Sequence, residues 1–202
     1  YIAKYDTEGN YTWAKQLGGT GHELSYSLAR DIAGNIITSG YFYGTGDYDP
    51  GPGEVILTAD ATSDFELFLS KLDSDGNFVW VNHFIGDNDA GSKSVITDGN
   101  DIILFGDYNG IIDADAGPEV TELTSAGGTD FLVAKYNADG ALLWAKSVGG
   151  LGNDVPLEGA VDEMGNIYFT GYFNNTVDFD PGPGIFNLTA VESDGFICKW
   201  DA

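Results

Sequence analysis

A short apolar segment with a lysine at its centre returns four times along the chain, and successive lysines lie 64 to 67 residues apart. A tryptophan follows the lysine by nine residues in each complete unit. Self-similarity at a fixed period is the signature of a repeat architecture in which each unit packs against its neighbours. The lysines are Lys4, Lys71, Lys135 and Lys199, and the tryptophans are Trp13, Trp80 and Trp144. We place repeats at about 1–67, 68–131 and 132–195, with a fourth beginning at 196–202, in a single domain 1–202.

Each unit is a series of short β-branched and aromatic runs separated by turn dipeptides such as Gly-Asn and Asp-Gly, which is the pattern of β-hairpins. We expect four or five strands in each unit. No segment shows a sustained helical period, so almost no helix is expected. The hairpins predicted in the third unit are 131–136 with 142–147 and 157–162 with 167–173, followed by a short strand at 186–189.

A unit of about 65 residues with this many strands has the size of a propeller blade. The predicted fold class is therefore all-β, with propeller-type blades, and the alternative is an open stack of β-repeats. Propellers typically close with about 4 to 8 blades, whereas this chain supplies about three. We expect the remaining blades to come from a longer parent chain or from a second copy.

The amino-acid composition limits the partners that this chain can bind. It has 32 acidic and 8 basic residues and a formal net charge of -24, which repels phosphate backbones and argues against nucleic acid as a partner. Cys198 is the only cysteine, so neither an internal disulfide nor a cysteine-based zinc site is expected. No apolar run approaches the roughly 20 residues that cross a bilayer. We expect no transmembrane segment, and a chain that is processed or is a segment of something longer.

The motif with the most chemical potential is Asp-x-Asp, which leads into a Gly-Pro-containing turn once in each unit. Alternate residues of a strand face the same way, so each motif points two carboxylates to one side. Calcium takes roughly 6 to 8 oxygen ligands, and backbone carbonyls and water would have to complete such a site. The alternative is that these Asp residues cap the turn by accepting hydrogen bonds from backbone amides. The candidate calcium ligands are Asp47, Asp49, Asp113, Asp115, Asp178 and Asp180.

Six of the eight basic residues, all of them lysines, occupy only two positions of the repeat. An acidic residue lies five positions before the lysine in three units, and we expect ion pairs between strands. A row that binds an anionic glycan is opposed by the net charge. The tryptophans are expected to pack between blades rather than to stack on sugar rings. The acidic residues are Glu66, Asp130 and Asp194.

The two histidines, His22 and His83, occupy different repeat positions, which excludes a repeated site built on imidazole. An enzyme of this architecture would need a polar cluster that breaks the repeat symmetry near the axis, where several blades meet. The second unit supplies the one candidate cluster, which is His83, Asp87, Asp89 and Lys93.

The third unit contains Ala134-Lys135-Tyr136, Leu143-Trp144-Ala145-Lys146, Gly149-Gly150 and Gly165-Asn166-Ile167-Tyr168-Phe169-Thr170-Gly171-Tyr172-Phe173. This pattern resembles the bacterial β-propeller repeat family abbreviated SBBP, and the resemblance covers essentially the whole chain. The second unit departs most, with Asn82 in place of a lysine and Ala116 in place of a proline. The resemblance implies an extracellular, non-enzymatic module of the kind found in large secreted or surface proteins of Bacteroidetes. It implies no catalytic residues.

These observations together favour a non-enzymatic extracellular module that binds a protein or glycan, or mediates adhesion, within a larger surface protein. Calcium is the one cofactor that the sequence suggests. Two alternatives stay open at this point: a propeller lyase or glycoside hydrolase, and a purely structural spacer.

Overall fold

A computed structural model describes residues 1–60 and 65–201. These residues form sixteen β-strands and no α-helix, and the described chain accordingly offers no helix that is long and apolar enough to cross a membrane. The strands are β1 (Ile2–Tyr5), β2 (Tyr11–Lys15), β3 (Gly18–Gly19), β4 (His22–Arg30), β5 (Ile36–Tyr43), β6 (Thr45–Asp47), β7 (Ile56–Thr58), β8 (Glu66–Leu72), β9 (Phe78–Phe84), β10 (Ala90–Asp98), β11 (Asp101–Asp113), β12 (Glu122–Tyr136), β13 (Leu142–Val148), β14 (Val155–Val161), β15 (Ile167–Asp178) and β16 (Asn187–Trp200).

The strands assemble into three large antiparallel sheets that follow one another along the chain. The first sheet has the order β4-β5-β8-β9, the second β10-β11-β12-β13 and the third β14-β15-β16. A two-stranded sheet, β1-β2, precedes them, and a small sheet, β3-β6-β7, belongs to the first unit. Every pairing is antiparallel, and apart from β5 with β8 and β3 with β6 each joins strands that follow one another along the chain, as in propeller blades. The predicted all-β class is confirmed.

Each large sheet takes its strands from two successive sequence units. In the second sheet, β10 and β11 lie in the second unit, β12 crosses the boundary between residues 131 and 132, and β13 lies in the third unit. The hairpin predicted at 131–136 and 142–147 therefore forms the last two strands of the second sheet, β12 and β13. The hairpin predicted at 157–162 and 167–173 forms the first two strands of the third sheet, β14 and β15. Both hairpins form as predicted, but they belong to neighbouring sheets.

At one position of the repeat, in or directly after the second strand of each large sheet, the backbone bends through a residue with positive φ. Gly44, Gly110 and Asn175 occupy this position, with φ angles of 80°, 77° and 58°. This is the left-handed region, which glycine enters at no steric cost and asparagine tolerates. Beyond the bend the chain pairs with the segment that leads into the first strand of the same sheet, through the bridges Gly19↔Gly46, Gly86↔Ile112 and Gly150↔Val177.

Hydrogen bonds connect the first strands of successive sheets. Ser27 Oγ accepts the N–H of Val95 at 3.0 Å, which joins β4 to β10. Ser94 Oγ donates to Glu158 Oε1 at 2.8 Å, which joins β10 to β14. The first strands therefore lie side by side, as the innermost strands of consecutive blades do.

Apolar side chains fill the space between neighbouring sheets. Leu67, Leu104 and Leu132 belong to a buried cluster between the first and second sheets, and Phe105 and Phe169 belong to one between the second and third. Burial of this kind is the dominant favourable term in folding. No single sheet covers both of its faces, so the stability of each depends on its neighbours.

The tryptophans pack where the outer strand of one sheet meets a turn of the next. Trp80 Nε1 donates to the carbonyl of Ala138 at 3.2 Å, and Trp80 is half-buried beside the first core cluster. A methyl group added to Gly76 would lie 3.1 Å from the ring of Trp13, and one added to Gly140 would lie 3.1 Å from the ring of Trp80. The prediction that tryptophans pack between blades is confirmed.

Candidate functional site

The three Asp-x-Asp motifs form the same hydrogen bonds, each in the loop that follows β6, β11 or β15. In the third unit, Asp178 Oδ1 accepts the N–H of Asp180 at 3.1 Å and that of Phe186 at 2.7 Å, and Asp180 Oδ1 accepts the N–H of Gly182 at 2.7 Å. Asp47 and Asp113 accept the corresponding amides at 2.8 to 3.0 Å, and Asp49 and Asp115 accept theirs at 2.7 to 2.8 Å.

These bonds explain why both Asp residues persist in the unit that has Ala116 in place of proline. The first carboxylate closes the loop between residues eight positions apart, and the second caps the turn inside it. Neither bond requires proline. The geometry therefore supports turn capping, one of the two roles that the sequence left open.

Calcium binding at these motifs stays a prediction. Their six carboxylates are spread over three hairpins, two in each. Across residues 1–60 and 65–201, no group of three or more His, Cys, Asp or Glu side chains is arranged to hold one metal ion. A calcium ion in such a loop would depend on two carboxylates together with backbone carbonyls and water.

The lysines form ion pairs, but with acidic residues other than those that the spacing suggested. Lys71 Nζ lies 3.0 Å from Asp31 and donates to the carbonyl of Ala138 at 2.9 Å, and Lys135 Nζ lies 2.8 Å from Asp98. The suggested pairings with Glu66, Asp130 and Asp194 were wrong. Two residues five positions apart on a strand face opposite ways and lie roughly 16 Å apart, so they do not meet. Glu66 instead contacts His83, and Asp130 accepts the N–H of Ala126.

A cavity of about 540 Å³ opens between the first and second sheets, beside the start of β10. Tyr41 and Phe65 form its apolar wall, with ring centroids 4.6 Å apart in an edge-to-face arrangement. Polar side chains from β10, β11, β12 and the residue before β10 form the rest of the lining, called the polar wall here. They include Asp89, Lys93, Asp107, Asn109 and Thr129.

An ion pair lies at the centre of the polar wall. Lys93 Nζ is 3.1 Å from Asp107 Oδ1, and both side chains keep about a fifth of their surface exposed. Lys93 Nζ also lies 5.5 Å from the ring centroid of Tyr26, within range of a cation–π contact. Burial raises the pKa of Asp107 above its usual value, and the neighbouring Lys93 offsets part of this rise. The cavity therefore presents a charged donor beside a charged acceptor, next to aromatic rings.

The ion pair between Lys93 and Asp107 occurs in the second sheet, whereas the equivalent positions of the other two sheets carry different residues. Asp107 stands where the first and third sheets have a tyrosine, and Lys93 is the extra residue of a β-bulge that all three first strands share. Because the other two sheets form the same bulge and the same pairing without an ion pair, the fold does not require one. The residues equivalent to Asp107 are Tyr41 and Tyr172, and those equivalent to Lys93 are Tyr26 and Leu157.

The structure brings together only half of the polar cluster that the sequence singled out in the second unit. Asp89 and Lys93 line the cavity. His83 faces Glu66 on the outer pair of strands, and Asp87 Oδ1 accepts the N–H of Ile111 at 2.6 Å. Sequence reasoning missed Asp107 and Asn109, although the loss of the repeated tyrosine at position 107 was a visible signal.

Two buried carboxylates lie near each other where the second sheet meets the third. Asp154 accepts the N–H of Gly150 at 2.8 Å and that of Asn174 at 3.0 Å, one on each oxygen. Asp130 accepts the N–H of Ala126 through Oδ2, while its buried Oδ1 has no hydrogen-bond partner among the described residues. Burial raises the pKa of Asp130 to about 6, and the charge of Asp154 adds to the shift.

Comparisons with known proteins identify one curated relative that supports the repeat architecture. The chain is 28% identical over 196 residues to an uncharacterized WD repeat-containing protein of Acanthamoeba polyphaga mimivirus. That alignment covers 86% of this chain but only 14% of the relative. WD repeats form four-stranded propeller blades. Together with the successive antiparallel sheets, this similarity is consistent with a propeller-type or repeat fold.

The other comparisons add no functional assignment. A solved structure of a protein of unknown function from Bacteroides caccae aligns with a TM-score of 0.34 and 11% identity, covering 83% of this chain and 61% of that one. No protein-family model matches the sequence.

Proposed function

We propose that this chain is a non-enzymatic module of propeller blades that binds a protein or glycan partner within a larger extracellular surface protein. The observation that carries the proposal is the cavity between the first and second sheets. It combines aromatic rings with an ion pair that the repeat does not need. Concave sites with an apolar wall and a few converging polar groups are where proteins bind small ligands and side chains.

A bacterial surface protein of the SBBP type is the context that we propose for this module. The repeated Lys-Tyr, Leu-Trp-Ala-Lys and Gly-Asn-Ile-Tyr segments support it, as does the net charge of -24, which keeps an exposed protein soluble. The extracellular location and adhesive role are parts of the same proposal.

Further blades of the same parent chain, or a second copy, would complete this module. What supports this is the outer edge of β16. In the described residues β8 and β12 each pair on both sides, whereas β16 pairs with β15 alone. An open edge presents unpaired backbone groups to another strand.

The test of the proposed function is whether the folded chain binds and does not turn over what it binds. Labelled protein would be applied to arrays of bacterial and host glycans and of extracellular proteins, with heat-denatured protein as the control. We expect specific retention of some ligand and an unchanged ligand by mass spectrometry after prolonged incubation. Cleavage of the ligand would overturn the non-enzymatic assignment, and no retention on any array would favour the structural spacer.

A further inference from the structure

The cavity between the first and second sheets has a chemistry that narrows its ligand. Lys93 Nζ can donate and Asp107 Oδ1 can accept, and the two atoms are only 3.1 Å apart. Asn109 and Thr129 add neutral polar groups to the same wall, and Tyr41 with Phe65 supplies the apolar face. Hydrogen bonds to charged groups are the stronger ones. A matching ligand has adjacent groups that both donate and accept, beside an apolar surface that packs on a ring.

We propose that this cavity binds a neutral saccharide, with two neighbouring hydroxyls bridging Lys93 and Asp107 and a face of the sugar ring packing on Tyr41. This inference rests on the proposed function and assigns the ligand class to its site. A hydroxyl both donates and accepts, so one hydroxyl takes a bond from the ammonium while its neighbour gives one to the carboxylate. The C–H face of a pyranose is apolar and suits an aromatic wall.

Charged ligands fit this cavity less well. An anion would meet Asp107 and the field of a chain with a net charge of -24. A cation would have to displace Lys93, which already pairs with Asp107 and lies 5.5 Å from the ring centroid of Tyr26. A neutral ligand avoids both costs, because it can join the ion pair without replacing either member.

The decisive experiment uses a double variant that gives the second sheet the residues of the third. Lys93→Leu with Asp107→Tyr introduces side chains that the equivalent positions already carry, as Leu157 and Tyr172, so the variant is expected to fold. Ligand-observed NMR and calorimetry would be run with maltose, cellobiose, lactose and sucrose, and with choline and glucuronate as charged probes. We expect the unaltered chain to bind at least one of the disaccharides, and the double variant to bind it at least about tenfold more weakly.

Leu157→Ala is the matched control, because Leu157 occupies the same bulge position as Lys93 in the third sheet and lies outside the cavity. It should leave saccharide affinity unchanged. Equal binding by the double variant and the unaltered chain would overturn this site while leaving a glycan-binding function in place. Binding of choline or glucuronate in preference to every disaccharide would overturn the ligand class. Failure of all probes, together with empty arrays, would overturn the proposed function as well.

Discussion

Lys71 and Asp31 form an ion pair of 3.0 Å in which both side chains are almost completely buried. The ammonium also donates to the carbonyl of Ala138 in the turn of the next sheet, so one group joins two sheets. Burial alone would raise the pKa of Asp31, but hydrogen bonds from Asn35 and Lys71 outweigh it and hold the pKa below its usual value. Asp31 is therefore ionised at neutral pH.

Replacing Lys71 should be costly, because it would leave the buried carboxylate of Asp31 without its counter-ion. We expect Lys71→Met to lower the free energy of unfolding by about 3 kcal/mol or more, measured by denaturant titration. Lys135→Met is the control, since Lys135 occupies the same repeat position but pairs with the partly exposed Asp98. It should cost about 1 kcal/mol or less. Equal losses in the two variants would refute the special role of the buried pair.

Removal of a carboxylate from an Asp-x-Asp hairpin should destabilise it whether or not calcium is present. Asp178→Ala removes two hydrogen bonds to backbone amides and Asp180→Ala removes one. At about 1 kcal/mol for each bond, the first variant should melt at the lower temperature in chelator. If capping is the whole role, calcium near 1 mM should leave the melting temperature of the unaltered chain unchanged. A rise in calcium that disappears in both variants would establish a metal site instead.

Asp130 should make this chain less stable as the pH rises through the range in which it ionises. The folded state keeps a proton on Asp130 up to about pH 6, whereas the unfolded state releases it near 3.8. Between these values the folded state binds more protons, so the contribution of this group to stability falls as pH increases. Asp130→Asn should therefore raise the melting temperature by roughly 2–4 °C near pH 8, or about 1 kcal/mol, and by much less near pH 4.

Asp154→Asn provides the comparison for that prediction. Both oxygens of Asp154 accept backbone amides, so an amide nitrogen would face an N–H donor and the variant should be destabilised near pH 8. A stabilising effect of both substitutions would show that the crowding of charge, rather than the unpartnered oxygen of Asp130, governs this junction.

The bend at Asn175 should tolerate glycine and resist β-branched residues. Its φ of 58° lies where the first and second sheets have Gly44 and Gly110. We expect Asn175→Gly to leave stability nearly unchanged, and Asn175→Val to lower it by about 1–2 kcal/mol. Valine at Asn174, whose φ is not positive, also removes the hydrogen bond from Nδ2 to the carbonyl of Glu192. A smaller loss there than at Asn175 would support the φ effect.

The sequence alone predicted the elements that depend on local patterns. Turn dipeptides located the hairpins of 131–147 and 157–173, and the fixed spacing of the tryptophans placed them between blades. The acidic partners of the lysines could not be predicted from the sequence. Asp31 and Lys71 are forty positions apart and meet only through the register of the sheet. The cavity was likewise hidden, since Tyr41, Lys93 and Thr129 converge only when two sheets pack together. Half of the polar cluster singled out in the second unit lies in that cavity.

Because every large sheet is built from two successive sequence units, each unit contributes strands to two neighbouring sheets. Cutting the chain at a unit boundary splits a sheet, whereas adding or deleting one whole period leaves the strands of each remaining sheet together. Unequal recombination between copies would therefore change the number of blades without dividing a sheet. Such an arrangement would let the number of blades change in evolution while each remaining sheet stays intact.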